Sequence, residues 1–285
     1  MRRWKRTPAP SGSGAAPASG AEAAAPDPSG IPDRYVLEAP HPQLAIDLFP
    51  GEWATLFPSE LGVTAGPIPL LWDPRIERIL EVVGDVAGAE VLELGPLDGG
   101  HTHMLERAGA HVTAIEAKTH AYLRCLVLKE LLAMRESRFL LGDFLPYLET
   151  TDRRFHLVVA SGVLYHATDP LRLLAAIARV TDRIGLWTHY YDAAVTGPDS
   201  PHFAEFAGTP VTARLGSTEV VLHPRSYRGA QRLTGFCGGA EPTVAWMELP
   251  GLLAVLRELG FTQIDADEPD LGHVNGPNVL VVARR

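Results

Sequence analysis

From Glu90 onward, short apolar runs with little polar alternation recur between segments of helical period. EVLEL, HVTAIEA, RFLLGD, FHLVVA and GLWTHYY read as strands. HMLERAG, AYLRCLVLKELLAM and DPLRLLAAIARV read as the helices between them, and only a short connection follows RFLLGD. Strands without alternation are buried on both faces, and helices between them make parallel crossovers, so the pattern predicts an α/β fold with a doubly wound, mostly parallel sheet. ELPGLLAVLRELG then predicts a helix closed by Gly260. FTQIDAD and NVLVVAR bring the total to about seven strands, as an antiparallel hairpin at the sheet edge.

The pattern also sets boundaries. Residues 1–30 are mostly Ala, Pro, Ser and Gly and bury too little apolar surface to order, so a disordered tail is expected. Residues 31–74 hold no sustained period and read as an N-terminal lid or brace. In DPRIERILEVVGDV, Asp73 caps a helix with Pro74 at its first position, and Ile76, Ile79, Leu80 and Val83 share one face. That helix opens a main domain over 75–285, in which 192–242 breaks the alternation and reads as an insertion after strand five, with one possible strand in TEVVLHP.

Composition narrows the partners. A net charge of -9 gives no footprint for a polyanion, so a nucleic-acid partner is disfavoured. Cys125 and Cys237 have neither zinc spacing nor disulfide density, and no apolar run reaches the roughly 20 residues that span a bilayer; the expected location is cytoplasmic. His101 and His103 point different ways from a helix start, and no metal is expected. Oligomeric state is not legible.

The chemistry begins in VLELGPLDGGHT, where Leu97 breaks the GxGxxG of a dinucleotide site. What remains is Glu93 two positions before Gly95, then Gly99 and Gly100 where a helix begins. Glycines there let backbone approach a ligand, and a carboxylate can face an ammonium, which suits S-adenosylmethionine: an amino-acid end and a sulfonium, with no phosphates. Glu116 ends the second strand, where an acid takes ribose hydroxyls, and Asp143 ends the third, where it can accept from an adenine amino group with Phe144 against the ring. In ASGVLYHATDP, Ser161 lines the floor beside the methionine part, while Tyr165 and His166 project toward an acceptor. His189, in THYYD at the end of strand five, is the second candidate base.

These residues resemble the class I S-adenosylmethionine-dependent methyltransferases, whose fold is Rossmann-like. VLELGPLDGG is similar to their first glycine motif, VTAIEA to the ribose-binding strand end and LLGDF to the adenine-contact segment, over roughly residues 75 to 190. GVLYH and AYLRCLVLKELL add a local likeness to the tRNA wobble-uridine carboxymethyltransferases. Two departures stand out: Leu97 replaces the family's usual second glycine, and the chain finishes NVLVVARR as a strand where those enzymes carry a basic end. The resemblance implies a methyltransferase acting on a small-molecule oxygen or nitrogen. The alternatives are a tRNA-modifying (carboxy)methyltransferase and a non-catalytic binding protein of the same fold.

Overall fold

The structure, a computed structural model, describes residues 31, 34–197, 200, 203–206, 208–233 and 235–285. The Ala/Pro/Ser/Gly tail lies outside the described residues. The chain divides into residues 1–37 and 38–285, and the described Tyr35, Val36 and Leu37 of the first are exposed.

In the second unit the sheet strands are β1 (Glu90–Leu94), β2 (His111–Glu116), β3 (Ser137–Leu141), β4 (Leu157–Ser161), β5 (Arg183–His189), β9 (Gln263–Ala266) and β10 (Asn278–Arg284), ordered β3-β2-β1-β4-β5-β10-β9. Strands β1 to β5 pair in parallel, and β10 runs antiparallel to both β5 and β9. The chain order reverses between β1 and β4, and the ends of these two strands flank the crevice where doubly wound sheets bind ligands.

The unbroken apolar runs are explained by two cores. On one face Val91, Val112 and Val159 pack with Ile76 and Ile79 of α2 (Pro74–Val83) and Leu105 of α3 (Gly100–Arg107). On the other, Leu92, Val158 and Leu186 pack under α6 (Pro170–Val180) and α8 (Leu249–Glu258). Asp73 caps α2 as expected, accepting from the Arg75 amide at 2.9 Å. α4 (Thr119–Leu131) lies against β2 and β3.

Two elements differ from the expectation. The connection after β3 is a helix, α5 (Phe144–Thr150), started by the Asp143 side chain, which accepts from the Leu145 amide; Pro146 in so short a run hid it. The insertion is a three-stranded antiparallel sheet of β6 (Val211–Leu215), β7 (Thr218–Ser226) and β8 (Thr243–Met247), preceded by α7 (Ala193–Thr196). Its last strand runs past Pro242, because Val244 and Trp246 pack with Phe206 and Tyr227 in the insertion's own core. The brace includes α1 (Pro42–Ile46) and buries Phe49, Trp53, Phe57, Leu70 and Leu71.

Candidate functional site

The loop from β1 to α3 carries the three left-handed residues Gly95 (φ 64°), Leu97 (φ 59°) and Gly99 (φ 89°). A leucine in that region costs roughly 1–2 kcal/mol, so the loop keeps at position 97 the conformation of the missing glycine and must be held there by its neighbours. Leu97 donates its amide to Glu116 at 3.2 Å and accepts at its carbonyl from the Cys125 thiol at 3.4 Å. Gly95 faces the segment just after β4, where an added Cβ would lie 3.2 Å from the Val163 side chain. Gly100 has a different reason: a Cβ there would stand 2.7 Å from Leu70 of the brace, so its small size serves packing.

Glu93, Glu116 and Asp143 sit at the carboxyl ends of three adjacent strands, with Glu93 opposite Ala114 and Glu116 opposite Leu141. Glu93 is buried and accepts from the Thr102 hydroxyl; burial pushes its carboxyl up to about 7, with the nearby Glu116 adding to the rise. Burial also raises Glu116, against the lowering effect of the backbone amides of Lys118 and Leu97 on its two oxygens. Asp143 is exposed with one oxygen engaged by α5, and Phe144 packs partly on the core beside it. At the end of β4 the Ser161 hydroxyl is buried with no hydrogen-bond partner among the described residues. An orphaned hydroxyl at the end of the strand next to the glycine-loop strand fits a polar ligand such as the cofactor the sequence implies.

The three expected catalytic candidates are brought together. Tyr165 lies 4.0 Å from His166 and 4.7 Å from His189, ring centre to ring centre. His189 is buried and stacks on Trp246 of the insertion, with centroids 5.4 Å apart and planes within 7°. Its Nδ1 lies 2.9 Å from the Gly276 carbonyl and 3.2 Å from that of Pro277; carbonyls only accept, so Nδ1 carries the proton and Nε2 is the basic nitrogen. The Nδ1 of His166 instead meets the Tyr227 hydroxyl, whose oxygen also takes the Gly239 amide at 3.2 Å. The phenol is both a donor and an acceptor, so the contact ties His166 to the insertion whichever ring nitrogen carries the proton. Burial holds both imidazoles neutral, pulling His189 down to about 4 and His166 to about 3, and raises the Tyr165 phenol.

Several participants went unread in the sequence. Trp187 of β5 lies under the Arg75 guanidinium at 4.4 Å, and Arg75 and His101 share the buried Asp73, whose carboxyl they hold well below the usual range against its burial. The segment 235–239 of the insertion crosses the strand ends: Lys118 donates to the Phe236 carbonyl at 2.5 Å, and a Cβ on Gly239 would meet the His166 carbonyl at 2.8 Å. Asp98, inside the quoted motif, is fully buried and faces the brace, accepting from the amides of Ala54 and Thr55 and from Arg124. A buried acid of this kind has no period and no motif, so only its place beside Gly99 could have hinted at it.

Comparisons with known proteins bear on the family and the fold. A family model described as a methyltransferase domain matches residues 92–187, from β1 to β5. The structure is similar to a crystal structure of the N-terminal domain of EvdMO1 with SAH bound, at TM-score 0.62 and 25% identity, covering 85% of this chain and 94% of that one. A crystal structure of that domain in the presence of SAH and D-fucose matches at TM-score 0.61 and 24% identity over 85% of this chain and 94% of that one. A ribosomal RNA small subunit methyltransferase A of Novosphingobium aromaticivorans is 53% identical over 47 residues, which are 16% of this chain and span only 17% of that relative's length.

Proposed function

We propose that the chain, which carries a methyltransferase domain match over residues 92–187, is an S-adenosylmethionine-dependent methyltransferase that methylates an oxygen or nitrogen of a small molecule held between the ends of β4 and β5 and the insertion. The observation that carries this reading is the aromatic wall over that edge: Tyr165, Trp187, His189 and Trp246 lie within about one ring of each other, with segment 235–239 across the front. Such a wall suits a compact acceptor with an apolar face better than a polyanion. Two of the insertion's arginines are also neutralised, Arg214 by Glu219 and Arg225 by Glu205, which speaks against a basic RNA-binding face.

Glu116 takes the ribose hydroxyls, Asp143 the adenine amino group with Phe144 beside the ring, and Glu93 the ammonium. Gly95 and Gly99 let the backbone close on the cofactor, and Ser161 gives its hydroxyl a partner. The cofactor supplies an electrophilic methyl carbon on a sulfonium. His189 Nε2 receives the acceptor's proton, while the Tyr165 phenol and the His166 ring orient the acceptor. Among the described residues no helix is long and apolar enough to cross a membrane.

The test is release of S-adenosylhomocysteine with panels of phenols, sugars, carboxylic acids and amines, against tRNA and ribosomal RNA. Turnover on one of the small-molecule classes is expected. Transfer to RNA alone overturns the proposal.

A further inference from the structure

Asp98 is 0% and Arg124 2% exposed, and the two form the innermost link of a chain of charges. Asp98 Oδ2 accepts the amides of Ala54 and Thr55 at 2.7 and 3.0 Å and the Thr55 hydroxyl at 3.2 Å, while Oδ1 accepts Arg124 Nε at 2.7 Å. Arg124 then gives its second nitrogen to Glu52 at 2.9 Å, and Glu52 also meets His120, one turn earlier on α4, at 3.0 Å. The brace is therefore fastened to the residue between Leu97 and Gly99, at the one point of the glycine loop where a side chain occupies the left-handed region. A glycine at 97 would hold that conformation unaided; leucine does not. The Leu97 amide reaches the Glu116 carboxylate only while the conformation lasts.

We propose that the Asp98–Arg124 pair is a positioning device that holds Leu97 left-handed, so that docking of brace residues 52–55 and binding of the cofactor are coupled. A buried Asp98 without its arginine is uncompensated and pulls away from the brace amides. Leu97 then relaxes, and Glu116 loses the amide that orients its carboxylate toward the ribose.

Calorimetry with S-adenosylhomocysteine, which needs no acceptor, tests this alongside hydrogen exchange of the 52–55 amides. Arg124→Gln is expected to weaken binding by about tenfold or more and to speed exchange at 52–55. Adding Leu97→Gly should return most of the affinity while the brace amides stay fast, which a merely structural role for Arg124 would not produce. Wild-type affinity in Arg124→Gln despite fast exchange, or a double variant no tighter than Arg124→Gln, overturns the proposal. Should Arg124→Gln not fold, Glu52→Gln with and without Leu97→Gly carries the same comparison, with a smaller loss and the same recovery expected.

Discussion

The Tyr227 hydroxyl, on the insertion, is hydrogen-bonded to Nδ1 of His166, on the main domain. The insertion thereby engages one nitrogen of His166, and the two histidines flanking Tyr165 are held differently: His166 by a phenol and His189 by two carbonyls. His189→Asn is expected to lower kcat by about 10²- to 10⁴-fold with cofactor affinity little changed. Tyr227→Phe, which removes the partner of His166 Nδ1, should act mainly on the acceptor KM. Steady-state kinetics with each substrate varied separates the two; equal losses in both variants would remove the distinction.

Glu116→Ala removes the acceptor of two backbone amides and, in the proposed site, of the ribose hydroxyls. Cofactor affinity is expected to fall by about 10- to 100-fold, the worth of a hydrogen-bonded carboxylate. Titration calorimetry reads this directly, and unaltered affinity would withdraw the residue from the cofactor site.

Glu93 gives a pH signature. Its carboxyl is raised from 4.5 to about 7 by burial, so it is largely protonated in the apo protein at pH 6. Its contribution to apo stability is present below 4.5 and is lost as pH rises through about 7. An ammonium partner favours the ionised form, so cofactor binding should release a proton and tighten from pH 6 to pH 8. Calorimetry in buffers of different ionisation enthalpy counts that proton, and Glu93→Gln should abolish its release.

The histidines predict the reverse trend for stability. His189 is lowered from 6.5 to about 4 and His166 to about 3 by burial. The stability they contribute as neutral rings is complete above about 6.5 and is lost as pH falls through those values. Thermal melts should therefore drop steeply below pH 5. His189→Gln should flatten part of that drop, and an unchanged slope would contradict the burial argument.

Gly100→Ala places a methyl 2.7 Å from the Leu70 Cβ and 2.9 Å from its carbonyl oxygen. Because backbone cannot yield cheaply, a loss of about 1–3 kcal/mol is expected, measured by denaturant melts, with the brace loosening first.

The sheet was legible because its central strands are mostly apolar and helices such as α2 and α6 carry a 3.6-residue stripe; Ile76 and Ile79 face the core where the period puts them. The acids at strand ends were legible from their position alone, since strand ends in this topology converge. The brace and the insertion were legible as segments, with one strand in TEVVLHP, but their internal order was not. Their order comes from Asp98 reaching Thr55, from Tyr227 reaching His166 and from Trp246 stacking on His189, contacts between residues far apart in sequence that leave no periodic trace. The loop 267–277 was read as a plain hairpin turn, yet its Gly276 and Pro277 carbonyls settle the protonation of His189.

That last contact follows from β10 running against its neighbours. Every parallel strand ends at the ligand-binding rim, whereas β10 begins there, so the chain arrives above β5 from outside and presents two peptide oxygens to the ring below. The polarity of a single strand thus selects the tautomer of an imidazole, and through it the direction in which a proton can travel.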